Sequence, residues 1–153
     1  MGCRFDFHFY PEEKLGIEWP IPIAAQYCDV VSFNRYRYSG KTLVLPEGID
    51  KPLIIGEFHF GALDRGMFHT GLRSVGSQAE RGEAYINYVR GAMENPYIVG
   101  THWFQYCDQP ATGRGDGENY QVGFVDICDR PYAETIAACR EVGYNMYEYR
   151  MGN

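Results

Sequence analysis

The chain has 153 residues, enough for one domain with a substantial core, and 45% of them are hydrophobic, which excludes a disordered tail. Its net charge of −6, from 14 Lys and Arg against 20 Asp and Glu, excludes the clustered positive surface that a phosphate backbone demands, so nucleic acid is not an expected partner. Thirteen Tyr, nine Phe and two Trp provide flat rings of the kind that hold sugars or fill large cores, and composition does not separate the two uses.

Residues 2 to 10 alternate aromatic with polar side chains and predict a strand that starts almost at the first residue. After a polar loop from Pro11 to Gly16, Pro20 and Pro22 leave room only for a short helix from about Ile21 to Tyr27. Residues 28 to 34 predict a second strand, with Arg35-Tyr36-Arg37-Tyr38 at its exit, and residues 39 to 50 a loop with room for a weak helix. The third strand is Leu53 to Phe58, an apolar run between Pro52 and the rim residues that follow. A Gly-rich stretch, residues 61 to 76, is long for a connector, and loops of this kind usually cover a site. Ser77 caps a helix predicted over 78 to 95, with Ala84, Tyr85, Tyr88, Val89 and Ala92 as its apolar stripe, and Asn95-Pro96 stops it. Tyr97 to Tyr106 is the fourth strand, Gln121 to Asp126 a short extended piece, and Tyr132 to about Glu141, or onward to Tyr149, the last helix. This order is α/β with right-handed crossovers and therefore parallel strands, and no repeat or linker divides it.

The candidate for chemistry is Glu57, the carboxylate at the tip of the third strand, beside Phe58, His59 and Phe60. In barrels of alternating strands and helices, catalytic groups collect at this rim because the loops there vary without disturbing the packed interior. The bland alternative is an acid that caps the following loop or pairs with Arg65. Asp6, between Phe5 and Phe7, is the local candidate for a second carboxylate, against a pairing with Arg4 or Arg35. Asp64 and Arg65 fit either a rim salt bridge or contacts to sugar hydroxyls. The four His, at 8, 59, 69 and 102, share no ligand spacing, so no metal is expected, and the glycines of 113 to 117 lack the setting of a phosphate loop, so no cofactor is expected either. The five Cys show no paired metal spacing and are read as mostly buried thiols. No apolar run approaches the roughly 20 residues that span a bilayer, and the first residues lead into a strand rather than a secretory signal, so neither a membrane nor export is expected from this chain.

Three blocks carry a family likeness: 51 to 68 (KPLIIGEFHFGALDRGMF), 95 to 110 (NPYIVGTHWFQYCDQP) and 112 to 126 (TGRGDGENYQVGFVD). Together they resemble the C-terminal half of the catalytic barrel of a retaining clan A glycoside hydrolase. The likeness is strongest to the β-agarases of glycoside hydrolase family 50 and more distant to β-galactosidases, and it spans nearly the whole chain. It implies that residues 1–153 form a single partial domain, half of a TIM (β/α)8 barrel made of strands five to eight. It implies further that Glu57 is the nucleophile, that Tyr36 hydrogen-bonds and tunes it, and that Trp103 is the aromatic floor of the sugar subsite. Asn34, His59, His102, Gln105 and Glu118 fall in the matching blocks as substrate-contacting or supporting groups.

The family places an Asn-Glu pair on strand four, and its Glu is the acid and base. This chain has no such pair, so the resemblance implies a catalytic half-domain, cleaving β-galactosidic bonds of agar-type galactans in full context and inactive alone. A non-catalytic carbohydrate-binding or self-assembling module is the alternative. Half a barrel exposes two sheet edges and an inner face, so the expected partners are a galactan and either a second copy in a two-fold dimer or a missing N-terminal half. Full-length relatives are expected to be secreted or periplasmic.

Overall fold

The computed structural model describes residues 2–5 and 20–152. Along the chain run β1 (Gly2–Phe5), α1 (Pro20–Tyr27), β2 (Val30–Asn34), β3 (Leu53–Phe58), α2 (Gln78–Glu94), β4 (Ile98–Trp103) and α3 (Ala133–Met151). The strands form one parallel sheet in the order β1-β2-β3-β4, as the alternation of strands and helices requires. Expected strand residues 6 to 10, the loop from Pro11 to Gly16, and with them Asp6 and His8, lie outside the described residues.

Most predicted elements are present within two or three residues of their expected ends. Residues 39 to 50 contain no helix. The piece from Gln121 to Asp126 does not join the sheet, because the amides of Val122 and Gly123 donate to the Asp108 side chain, at 2.8 and 2.7 Å, instead of to a neighbouring strand. Its Val125 makes only isolated bridges, to Cys107 and Pro131.

One face of the sheet carries the helices. Ile21 and Ala24 of α1, Val31 of β2, Leu53 and Ile55 of β3, Tyr88 and Ala92 of α2, and Ile98 of β4 belong to a single buried cluster. Two irregularities break the strict alternation. β4 carries an extra residue between Ile98 and Gly100, and β3 carries one between Ile55 and Phe58. The second has a large effect. Without a bulge, Leu53, Ile55 and Glu57 would point the same way; with it, Phe58 rejoins the helix-facing row, stacking on Tyr88 at 4.1 Å, and Glu57 turns to the opposite face.

Ser77 caps α2, accepting from the Glu80 amide at 3.2 Å, as its sequence position predicts. The predicted stripe of α2 is inward-facing, but it continues toward the N-terminus through two polar residues, Gln78 and Arg81, both fully buried. Arg81 donates to Phe60 O and Gly123 O, each at 2.7 Å, and more weakly to Gln78 Oε1 and Thr135 Oγ1. Its guanidinium lies between the rings of Trp103 and Tyr132, 5.2 Å from each. Burial holds it down to about 10, against the attraction of Asp108. The helices α2 and α3 pack closely where Gly82 meets Glu134 and Ala138. Arg150 closes the far end by donating to carbonyls at the end of α2 and in the turn beyond, Met93, Asn95 and Pro96.

The Asp64–Arg65 salt bridge is not formed. Asp64 instead accepts from the Gln78 amide at 3.0 Å, adding to the cap of α2, and Arg65 pairs with Glu134 at the start of α3. The reading of mostly buried thiols is also corrected. Cys28 is buried and disulfide-bonded, while Cys107, Cys128 and Cys139 are thiols on loops and an outer helix turn, with Cys128 exposed. Among the described residues, no helix is long and apolar enough to cross a membrane.

Replacing Arg81 by Met removes the donor of two buried carbonyls, and the chain is expected to lose about 3–5 kcal/mol of unfolding free energy in urea. Arg81→Lys recovers only part of this, because an ammonium lacks the two-armed fork. A change below about 1 kcal/mol for Arg81→Met would show that these carbonyls do not depend on it.

Candidate active site

At the C-terminal end of the sheet, on the face away from the helices, lies a cavity of about 250 Å³ lined by Tyr36, Glu57, His59, Leu72, Phe104, Arg114, Glu118 and Tyr120. Glu57 reaches it through the bulge in β3. The residue is 8% exposed, and its Oε2 accepts a 2.7 Å hydrogen bond from the Tyr36 hydroxyl. Tyr36 is itself buried, at the exit of β2. Asn34, also buried, is the register partner of Glu57 on β2 and stands at the same level of the sheet. A phenol donating to a carboxylate steadies the ionised form and fixes its orientation.

His59 follows on the same face as Glu57, fully buried. Its Nε2 accepts from the Leu72 amide at 2.7 Å, which places the ring hydrogen on Nδ1, and the ring tilts against Tyr36 with centroids 4.7 Å apart. Gly71 makes this approach possible. Its φ is +76°, and a Cβ there would lie 2.4 Å from His59 Nε2. The loop from residue 61 to 76 is thereby folded back over the tip of β3, held also by Gly61 N to Arg73 O at 2.9 Å and Val75 N to Gly61 O at 3.0 Å.

The opposite wall comes from the segment after β4. Arg114 lies over the ring of Phe104, 5.8 Å from its centroid, and pairs with Asp116 and with Glu118, the latter at 3.0 Å. The bond to Asp116 comes first among the causes that hold the Arg114 guanidinium above its usual range. Glu118 Oε2 also accepts from Gln109 Nε2 at 2.8 Å, and the Gln109 backbone and side chain bond Tyr120 on both sides. Burial, and then the charge of Glu118, raise the Tyr120 phenol, so it is a hydrogen-bond donor at neutral pH.

The structure thus brings Tyr36, Glu57, His59 and Glu118 to one cavity, with Asn34 adjacent. Trp103 is elsewhere. It pairs in register with Phe58 on the helix face, packs against Phe58, Tyr85 and Phe124, and donates its indole N–H to Val122 O at 2.7 Å. The next residue, Phe104, supplies the aromatic wall. His102 is exposed on β4, and Gln105 donates to Cys107 O at 3.0 Å, outside the cavity lining. Leu72, Phe104, Arg114 and Tyr120 escape the sequence reading. Among the described residues, no group of three or more His, Cys, Asp or Glu could hold a metal.

No family model matches the chain. Beta-agarase B of Vibrio sp. (strain JT0107) is 49% identical over 98% of this chain and 16% of its own length. Among solved structures, an agarase superimposes with a TM-score of 0.82 at 46% identity, covering 98% of this chain and 21% of that one. An exo-beta-agarase gives 0.79 at 50% identity, over 86% and 18%. The chain therefore spans less than a quarter of the length of each.

Gly71→Ala forces a side chain into the left-handed region and onto His59. It is expected to cost about 2–4 kcal/mol, read as a fall in the unfolding midpoint. An unchanged midpoint would show that the imidazole is not held by this loop.

Proposed function

We propose, from the premise that the chain is a close homologue of one segment of the β-agarases of glycoside hydrolase family 50, that it is half of a retaining glycosidase barrel and carries the nucleophile. The observation that carries this reading is the 2.7 Å bond from Tyr36 to a Glu57 carboxylate buried at the floor of a strand-end cavity. In the complete catalytic domain, a Glu57 oxygen attacks the anomeric carbon of a β-linked galactose unit as the glycosidic C–O bond breaks. The leaving oxygen takes a proton from a second carboxyl group about 5–5.5 Å from the first. Water then cleaves the glycosyl ester and restores Glu57.

Tyr36 keeps the nucleophile ionised and aimed, Phe104 stacks on the sugar, and His59, Asn34 and Tyr120 contact its hydroxyls or hold the groups that do. Glu118 shares the cavity, but its Oε2 already accepts from Arg114 and Gln109. We therefore assign the proton-donor role to the Glu of the Asn-Glu pair that the family resemblance implies and that this sequence does not contain, and the chain alone is expected to be inactive. The parallel sheet with helices on one face, and its edges at β1 and β4, which no further strand pairs among the described residues, support completion of the barrel by further chain or by a second copy.

The test is a chimaera in which this chain replaces the matching segment of the Vibrio enzyme. Reducing sugar should be released from agarose, and Glu57→Ala should lower kcat by about three orders of magnitude, some 4 kcal/mol of barrel-completed catalysis. Azide added to that variant with an aryl β-galactoside should give the α-galactosyl azide, the product of attack where the carboxylate stood. Turnover within tenfold of the unmutated chimaera would refute the assignment.

Tyr36→Phe in the same chimaera removes a hydrogen bond to a charged group, worth about 1.5–3 kcal/mol, and should lower kcat roughly 10- to 100-fold with little change in KM. A change confined to KM would place Tyr36 in substrate binding instead.

A further inference from the structure

Behind the cavity wall opposite Glu57 lies an amide that solvent does not reach. Gln109 is fully buried and does not line the cavity, yet both polar atoms of its side chain are committed to residues that do. Its Nε2 donates to Glu118 Oε2 at 2.8 Å, and its Oε1 accepts from the Tyr120 amide at 2.7 Å. The Gln109 backbone amide donates to Tyr120 O at 3.1 Å. Asp108 beside it continues the pattern, accepting from the amides of Val122 and Gly123. Residues 108 and 109 therefore set where the wall from 118 to 123 stands.

A carboxamide suits both partners at once. The Glu118 carboxylate needs a donor and the Tyr120 N–H needs an acceptor, so the partners fix which end of the amide faces which. On Glu118 the bonds from Gln109 and from Arg114 Nη2, the latter at 3.0 Å, both fall on Oε2. That leaves Oε1 for the cavity that Glu118 lines together with the Tyr120 phenol. The wall thus offers an acceptor and a donor side by side, the pair that neighbouring sugar hydroxyls require.

We propose that Gln109 is a positioning residue for the sugar: it acts through Glu118 and Tyr120, fixing an acceptor and a phenol in the wall without touching the ligand itself. This rests on the reading of the Glu57 cavity as a sugar site.

The experiment measures KM and kcat on an agaro-oligosaccharide for two variants of the chimaera with the Vibrio enzyme. Gln109→Glu keeps the shape and the acceptor for Tyr120 but faces Glu118 with a second carboxyl group. At about pH 8, KM is expected to rise tenfold or more with kcat within threefold, the mark of binding lost equally from substrate and transition state. At about pH 5 the two carboxyl groups share a proton, the new side chain donates as the amide did, and KM should return to within threefold of the unmutated chimaera at the same pH. A purely structural role would lower the urea midpoint and leave the KM ratio the same at both pH values. Glu118→Gln, at a side chain 27% exposed, leaves the buried amide in place and decides the question if Gln109→Glu does not fold. With its oxygen held by Gln109 and Arg114, its NH2 faces the cavity where an acceptor stood, and KM should again rise tenfold or more. An active chimaera in which Glu118→Gln leaves KM unchanged, or in which Gln109→Glu raises it equally at both pH values, overturns this proposal and leaves the Glu57 reading standing. A chimaera with no turnover before either change overturns the Glu57 reading and this proposal with it.

Discussion

The structure depends on a guanidinium with no access to water. Arg81 sits where the hydropathy of α2 calls for a sixth apolar residue, and it replaces dispersion contacts with hydrogen bonds to two loop carbonyls and contacts to two aromatic faces. A buried cation is costly, and the depression of Arg81 to about 10 registers that cost. What offsets it is saturation. Gln78, Gln121, Asp108, Tyr132 and Thr135 form a connected set around it, in which Gln121 Oε1 accepts from the Ala62 amide and Asp108 accepts from Tyr132 at 2.6 Å and from two backbone amides. Such a network is stable only when every member is satisfied, which makes it all-or-none.

The two carbonyls that Arg81 holds belong to the segments that build the site. Phe60 directly follows His59, and Gly123 closely follows Tyr120. A loop fixed by side chains from a helix behind it can hold irregular backbone without exposing unpaired groups. The strand itself contributes the other device. The extra residue in β3 lets Phe58 and Phe60 continue the core while Glu57 and His59 face away from it, so a run of four residues serves two faces at once.

Much of the fold was legible in the sequence because its signals are short-range. The cap at Ser77, the stop at Asn95-Pro96, the apolar run of β3 and the alternation of strands and helices each act through local sterics or periodicity, and each is found where expected. Glu57 and Tyr36 were legible for the same reason, as residues at strand exits, with the family likeness supplying their pairing. Trp103 was not, because assigning its face requires the register of β4 on β3, and the extra residues in both strands shift that register by steps no single-strand pattern records. Arg81 and Gln78 were hidden by their polarity. Hydropathy places such residues outside, and only the partners, up to 54 positions away in the chain, put them inside. Arg114 was legible as a charge in a Gly-rich loop but not as a wall of the cavity, since that depends on the loop closing on Glu118.

The size of the cavity bears on how this segment can work. Sites for small molecules are commonly about 300–1,000 Å³, and about 250 Å³ lies just below that range, enough for one small ring beside Glu57 but not for a stretch of polymer. Each wall is nonetheless set before any ligand arrives. Tyr36 orients the carboxylate, the Leu72 amide fixes the imidazole, and the 113–118 loop is closed by its own hydrogen bonds. Preorganisation of this kind lowers the entropy that binding must otherwise supply. A segment whose Glu57 carboxylate is already aimed and whose aromatic wall is already in place spends little of its binding energy on ordering itself.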